Sequence, residues 1–311
     1  MKTCILLSLI LISFQSFACD NCNVYMGLSP NDDKNMAGVY YRSRLMMGAY
    51  NFYGLQTMQK HAAHGNDPAF WGNQVSEYFN TIELRGEFLI KKRWRTTVIV
   101  PYVINTQTLD ETRRYLIQGM ADPIVLQGYQ LLNPYKLCTK DDVVQRLEIG
   151  GGLKVPVGAI NKEVNGLYPN LDLQPGSGSL DGLIYAKYIF KYKGFGVAAN
   201  TNFKFNGKNK DPYRYGNTFN STINFFYQTK IKETTFMPMI GVNLERAAFD
   251  ESTEVHYDTG GSAYFAQLGL KVFLKNFVIF GEFQKAISNQ MNGYSQLINK
   301  QKLNLGLAYK F

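Results

Sequence analysis

From Thr81 to Lys91 the chain alternates with period two. Ile82, Leu84, Gly86, Phe88 and Ile90 fall on one face, and Glu83, Arg85, Glu87 and Lys91 on the other, with Leu89 among them. Side chains alternate across a strand with this period, so the segment predicts an extended strand with a long apolar stripe on one side and charge on the other. A wall that faces lipid on one side and a wet lumen on the other requires that pattern.

The pattern recurs along the chain. Candidate strands lie at 36–44, 80–91, 93–106, 121–132, 145–156, 182–192, 195–206, 216–229, 234–246, 262–274, 277–286 and 302–311. Most reach the roughly 9–11 residues that a tilted membrane strand needs. In the last, Leu303, Leu305, Leu307, Tyr309 and Phe311 oppose Asn304, Gly306, Ala308 and Lys310. An alternating strand closed by an aromatic residue is typical of bacterial outer-membrane barrels, so Phe311 is expected to be read by barrel assembly machinery. Pro101 and Pro238 fall inside proposed strands, where each removes a ladder donor, and mark bulges or misplaced boundaries.

Connection lengths point the same way. Long connections at 45–79, 107–120, 157–181, 207–215, 247–261 and 287–301 alternate with short polar ones at Lys92, Lys193-Gly194, Lys230 to Glu233 and Lys275-Asn276, the segment 133–144 being longer than its class. Short periplasmic turns and long external loops are the rule in such barrels. The expected fold is all-β, a transmembrane antiparallel β-barrel of about twelve strands. Its expected parts are a signal peptide at 1–18, a periplasmic N-terminal segment at 19–35 and the barrel at 36–311.

Composition excludes the main alternatives. Charged residues are 18% and hydrophobic residues 45%, which argues against extended disorder, and 21 Tyr and 21 Phe against 2 Trp suit strands. Beyond the leader no apolar run is long enough for a membrane helix, and helix-period segments are nearly absent. In the leader, Lys2 is the charged region, Cys4 to Phe14 the apolar region and Ser16-Phe17-Ala18 the cleavage site. Its removal lowers the formal charge from +9 to +8. That charge requires no nucleic-acid partner; basic turns suit outer-membrane lipids with anionic head groups.

Cys19 follows the cleavage site and is a candidate for lipidation, although Ser16 and Phe17 depart from the usual lipobox. With both on the periplasmic side of this topology, Cys22 and Cys138 are the disulfide candidate, Cys19 with Cys138 the alternative. His61 and His64, spaced i, i+3, and His256 in a later loop are candidate ligands for a loop metal, with Asp67 as a further donor. The polar faces supply the lumen candidates. Glu83, Arg85 and Glu87 share one face, Arg95 faces them from the next strand, and Arg146, Glu148 and Lys154 repeat the pattern on the fifth. Paired charges there either fill the lumen or form a constriction that sorts solutes by sign.

Four segments carry a family resemblance. They are Met120-Ala121-Asp122-Pro123 with Tyr129; Gly150-Gly151-Gly152-Leu153-Lys154-Val155-Pro156-Val157-Gly158; Gln174-Pro175-Gly176-Ser177-Gly178-Ser179-Leu180-Asp181; and Tyr213-Arg214-Tyr215-Gly216-Asn217. Together they resemble the outer-membrane proteins named for the meta-pathway of phenol degradation, distant relatives of the long-chain fatty-acid transporter group. The start Cys19-Asp20-Asn21-Cys22 resembles members from Bacteroidetes-type bacteria. The resemblance implies a Gram-negative outer-membrane transporter for a small-molecule solute, hydrophobic or aromatic in class, with no enzymatic step and no cofactor. A barrel enzyme acting on lipids, and a surface interaction or metal-binding protein, are the alternatives. The glycines of 174–181 lack the Gly-Lys-Ser/Thr ending of a phosphate cradle and suit a loop folded tightly against the barrel mouth.

Overall fold

The computed structural model describes residues 34–49, 74–132, 143–166, 169–252, 254–256, 259–292 and 297–311. Twelve wall strands follow in chain order. They are β1 (Met36–Ala49), β2 (Gln74–Ile90), β3 (Trp94–Leu109), β4 in two halves (Thr112–Met120 and Ile124–Leu132), β5 (Val143–Lys154) and β6 (Asp181–Tyr192). Next come β7 (Phe195–Phe205), β8 (Thr218–Tyr227, continued by Thr229–Ile231), β9 (Thr234–Ala247), β10 (Gly261–Phe273), β11 (Phe277–Met291) and β12 (Ile298–Lys310). Each strand pairs antiparallel with its neighbours in sequence. The sheet closes where β12 meets β1, from Met36 opposite Lys310 to Met47 opposite Ile298. Closure removes every strand edge, the condition for carrying backbone polar groups through hydrocarbon.

The side-chain alternation is the expected one. On β2 the residues Ile82, Leu84, Phe88 and Ile90 are exposed on the outside, while Glu83, Arg85 and Glu87 are buried inside. The outer face is apolar around the wall, with Ile184, Phe225, Ile240 and Leu268 all more than half exposed. At the short-turn end, neighbouring strands carry aromatic pairs in register: Trp94 with Tyr129, Phe195 with Tyr227, and Phe277 with Tyr309. Lysines 91, 92, 193, 230, 232 and 275 lie just beyond. Aromatic side chains at one level of the wall and cations beyond it form the girdle of a membrane barrel.

Several strands run longer than expected at their loop ends, and two further differences have a clear physical reason. The segment 107–120, read as a long loop, is a hairpin instead. β3 and β4 run on, through a register shift between Gln107 and Thr108, to a two-residue turn at Asp110 and Glu111, both at positive φ (45° and 67°). The hairpin was hidden because Thr106 to Arg114 is polar on both faces. The second difference is the interruption of β4 at 121–123. Ile99 pairs Ile124 and Tyr102 pairs Met120, so three residues of β4 stand opposite two of β3, Val100 and Pro101. This is a β-bulge, and it reverses the parity of β4: Tyr115 and Ile117 point inward before it, Leu126 and Gln130 after it. Pro101 lies opposite this break, and Pro238 lies between Phe236 and Met239 of β9, where the pairing with β8 is interrupted, so the missing donors fall where the ladder is already broken.

Candidate functional site

The inner wall is knit by charge. Glu83 on β2 accepts from Arg42 on β1 at 2.6 Å and from its strand neighbour Arg85 at 2.7 Å. Arg95 on β3, 2% exposed, joins Glu87 on β2 (3.1 Å) to Glu148 on β5 (3.2 Å). Glu148 also meets Lys187 on β6 (3.6 Å) and accepts from the Tyr185 hydroxyl (3.0 Å). Ions this enclosed are tolerated only when their partners are close and well aligned.

A second group gathers round Glu245 on β9, which binds Arg44 of β1 (3.0 Å) and Lys302 of β12. Asn304 and Gln284 donate to Glu282 alongside, at 3.0 and 2.7 Å. The two groups meet on β1, through Arg42 and Arg44, and tie the strands on either side of it together.

A third group pins a loop into the mouth. The bulge aims Asp122 inward, where it accepts from Lys154 Nζ (2.8 Å), from the Gly158 N–H (2.8 Å) and from the Ser177 N–H (2.9 Å). Lys154 also pairs with Asp181 (2.8 Å) and donates to the Ser177 hydroxyl; Lys204 reaches Asp181 at 3.5 Å. Ser179 completes the set by donating to Asp181 at 2.7 Å. The connection 155–180 therefore folds inward over a wall-borne Asp-Lys-Asp row.

Packing inside this loop needs glycine at two points of close approach. A Cβ on Gly158 would lie 2.7 Å from the Gly176 Cα, and one on Gly176 would lie 2.4 Å from the Gly158 carbonyl oxygen. Gln174 uses both ends of its amide on Lys162, accepting from the N–H (2.9 Å) and donating to the carbonyl (3.1 Å). Leu173 is fully buried, and its carbonyl accepts from Asn105 of β3 at 3.0 Å.

Between this loop and the wall lies a cavity of about 130 Å³. Pro175, Gly176 and Ser177 of the loop form one side. Ile99, Pro101 and Val103 of β3, with Phe79 of β2, give it an apolar wall. Arg42, Arg44, Lys154, Lys204 and Lys302 face it, together with the carboxylates of Glu83 and Asp122.

All seven lumen candidates, Glu83, Arg85, Glu87, Arg95, Arg146, Glu148 and Lys154, are buried on the inner face. Glu83, Arg85, Glu87, Arg95 and Glu148 form the first group, and Lys154 belongs to the loop-pinning group. His61, His64, Cys19, Cys22 and Cys138 lie outside the described residues. The backbone of His256 pairs with Asp250 in a small hairpin at the loop end, and among the described residues no cluster of metal-ligating side chains forms. Sequence reasoning passed over Arg42, Arg44, Lys187, Glu245 and Lys302. Each lies at the correct parity on a predicted strand or, for Lys302, at a strand start, so carrying the alternation through every strand would have found them. Asp122 shares the inward parity of Leu126, Gly128 and Gln130, but it stands in the interruption at 121–123, where no alternation of its own marks it.

No family model and no curated protein matches this sequence. Solved structures do match. An outer-membrane channel from Pseudomonas putida F1 superposes with a TM-score of 0.61 at 12% identity, covering 92% of this chain and all of its own. A FadL homologue from Pseudomonas aeruginosa, at 12% identity, gives a TM-score of 0.41 over 91% of each chain. The first similarity establishes the shared barrel fold.

Proposed function

We propose that this protein is an outer-membrane channel that passes small molecules through a narrow polar lumen, with the inward-folded loop 155–180 setting the constriction. The observation that carries this reading is the cavity between that loop and the charged wall, inside a closed barrel whose exterior is apolar. A barrel built only to anchor a surface domain needs no such cavity. The outer-membrane setting is supported by the aromatic and basic short-turn end, which would face the periplasm, and by the fold shared with the Pseudomonas putida channel. The lumen is small, so the solute is small, and the buried ion pairs act as a filter on its charge. On this reading Phe311, which continues the outward face of β12, serves recognition during barrel assembly.

Conductance in planar lipid bilayers tests the proposal. The full chain is expected to give small, discrete current steps. Replacing residues 159–178 with a short Gly-Ser linker is expected to raise the step size severalfold. If neither protein conducts, the channel reading fails. If both conduct equally, the loop is not the constriction.

A further inference from the structure

The cavity has a polarity that the channel reading does not require. Its apolar wall centres on β3, with Phe79 of β2 and Ala121 and Ile124 of β4 beside it, and cations stand on both sides: Arg42, Arg44 and Lys302 from β1 and β12, and Lys154 and Lys204 from β5 and β7. Five basic side chains face the space against two carboxylates. Glu245, which holds Arg44 and Lys302, and Asp181, which holds Lys154 and Lys204, do not line it. The lining itself is therefore richer in cations than in carboxylates. Of the two carboxylates that do face it, Glu83 is clasped between Arg42 and Arg85, and Asp122 is wrapped by Lys154 and two backbone N–H groups.

Resting on the channel reading, we infer that the cavity is a binding site for a small organic anion, a carboxylate with a compact apolar body. The body lies on Ile99, Pro101 and Val103. The carboxylate turns toward Arg42, Arg44 and Lys302, three cations against the two of the other flank, where Lys154 already serves Asp122, Asp181 and Ser177. Size agrees: a bound water needs roughly 10–15 Å³ on the same measure, so the cavity holds a ligand of about ten non-hydrogen atoms. A purely apolar solute would desolvate the charged lining and offer it no hydrogen bond in return, which disfavours it. A cationic solute would meet like charge on both flanks.

A set of three probes of one shape tests this: cyclohexanecarboxylate, cyclohexylmethanol and cyclohexylmethylammonium. Each is added to the full chain conducting in a planar bilayer, and the concentration that half-blocks the current is recorded. The carboxylate is expected to block at a concentration about tenfold below that of the ammonium, the difference made by one charge-assisted contact. Arg44→Gln and Lys302→Gln, separately, are expected to raise the carboxylate's blocking concentration by a similar factor. Their folding is checked by heat-modifiable migration in gels, and either variant alone suffices because the other cation still holds Glu245.

Equal block by all three probes, or tighter block by the ammonium, overturns the inference while leaving the channel intact. If the chain does not conduct, equilibrium dialysis of the same probes against the folded protein in detergent, corrected for empty micelles, decides. A carboxylate preference upholds the site although the channel reading has failed, and no preference removes both.

Discussion

Gly128 and Gly150 sit opposite each other on the inner faces of β4 and β5, and the Tyr185 ring from β6 lies across them. A Cβ on Gly128 would come within 2.2 Å of the Tyr185 hydroxyl and 2.8 Å of Glu148 Oε1; one on Gly150 would lie 2.6 Å from the ring. The glycines clear a shelf on which Tyr185 reaches Glu148, the carboxylate shared with Arg95 and Lys187. Gly128→Ala is therefore expected to push the hydroxyl off Glu148 and cost about 1–3 kcal/mol, the range for overpacking and for a lost buried hydrogen bond. In a Tyr185→Phe background the same substitution should cost less, because the atom it strikes first is gone. Denaturant unfolding of the four proteins in detergent gives the coupling, and a value below about 0.5 kcal/mol would mean that the shelf does not exist.

At the scale of elements, the loop end is built from side chains that tie backbone to backbone. The connection 206–217 is strapped to the hairpin at 250–256 by reciprocal bonds between Arg214 and Glu251 and by Asp250, which accepts from the Tyr213 hydroxyl and from the Gly216 N–H at 2.7 Å. Burial, and then the neighbouring Asp250 carboxylate, push the Tyr213 phenol above its ordinary value of 10.0. The unfolded chain releases this proton as pH passes its ordinary value while the folded strap retains it. The strap's stabilisation is therefore complete below that pH and declines as pH rises above it. Between about pH 9 and about pH 11 the wild type should lose more stability than Tyr213→Phe, by roughly 1 kcal/mol. Parallel slopes in detergent unfolding would mean that Tyr213 titrates as an exposed phenol. The strap was not legible in the sequence; of the pinned loop only the tight folding of 174–181 against the mouth was, from its glycines, whereas the walls were legible throughout. Period-two alternation located all twelve wall strands and oriented Glu83, Arg95 and Glu148, because facing lipid or water is a property of each residue. Where Asp122, Ser177 and Asp181 meet is a property of a bulge and a folded loop, which no local period encodes. The resemblance motifs contained those three residues without indicating that they converge.

For the whole molecule, the sign of the wall is the reverse of a soluble protein's, charge within and hydrocarbon without, and that inversion has a measurable depth profile. Leu268 lies at the middle of β10 and is 65% exposed; Leu274 lies just past the end of that strand, near the aromatic pairs of the short-turn end, and is 37% exposed. In a water-soluble barrel an arginine at the more exposed position is the milder change, since the side chain points straight into solvent. In a bilayer the order inverts: an arginine at mid-wall must be drawn into hydrocarbon or deform the lipid, at about 2–4 kcal/mol, whereas one at the rim costs about 0–1 kcal/mol. Leu268→Arg is thus expected to destabilise the refolded protein in phospholipid vesicles several times more than Leu274→Arg, measured by reversible guanidinium unfolding. The contrast should shrink in short-chain detergent, where the apolar layer is thin and deformable. Equal costs in vesicles, or a larger cost at Leu274, would mean that the apolar belt is covered by something other than lipid, and the membrane frame on which the lumen, the loop and the cavity have been interpreted would have to be withdrawn.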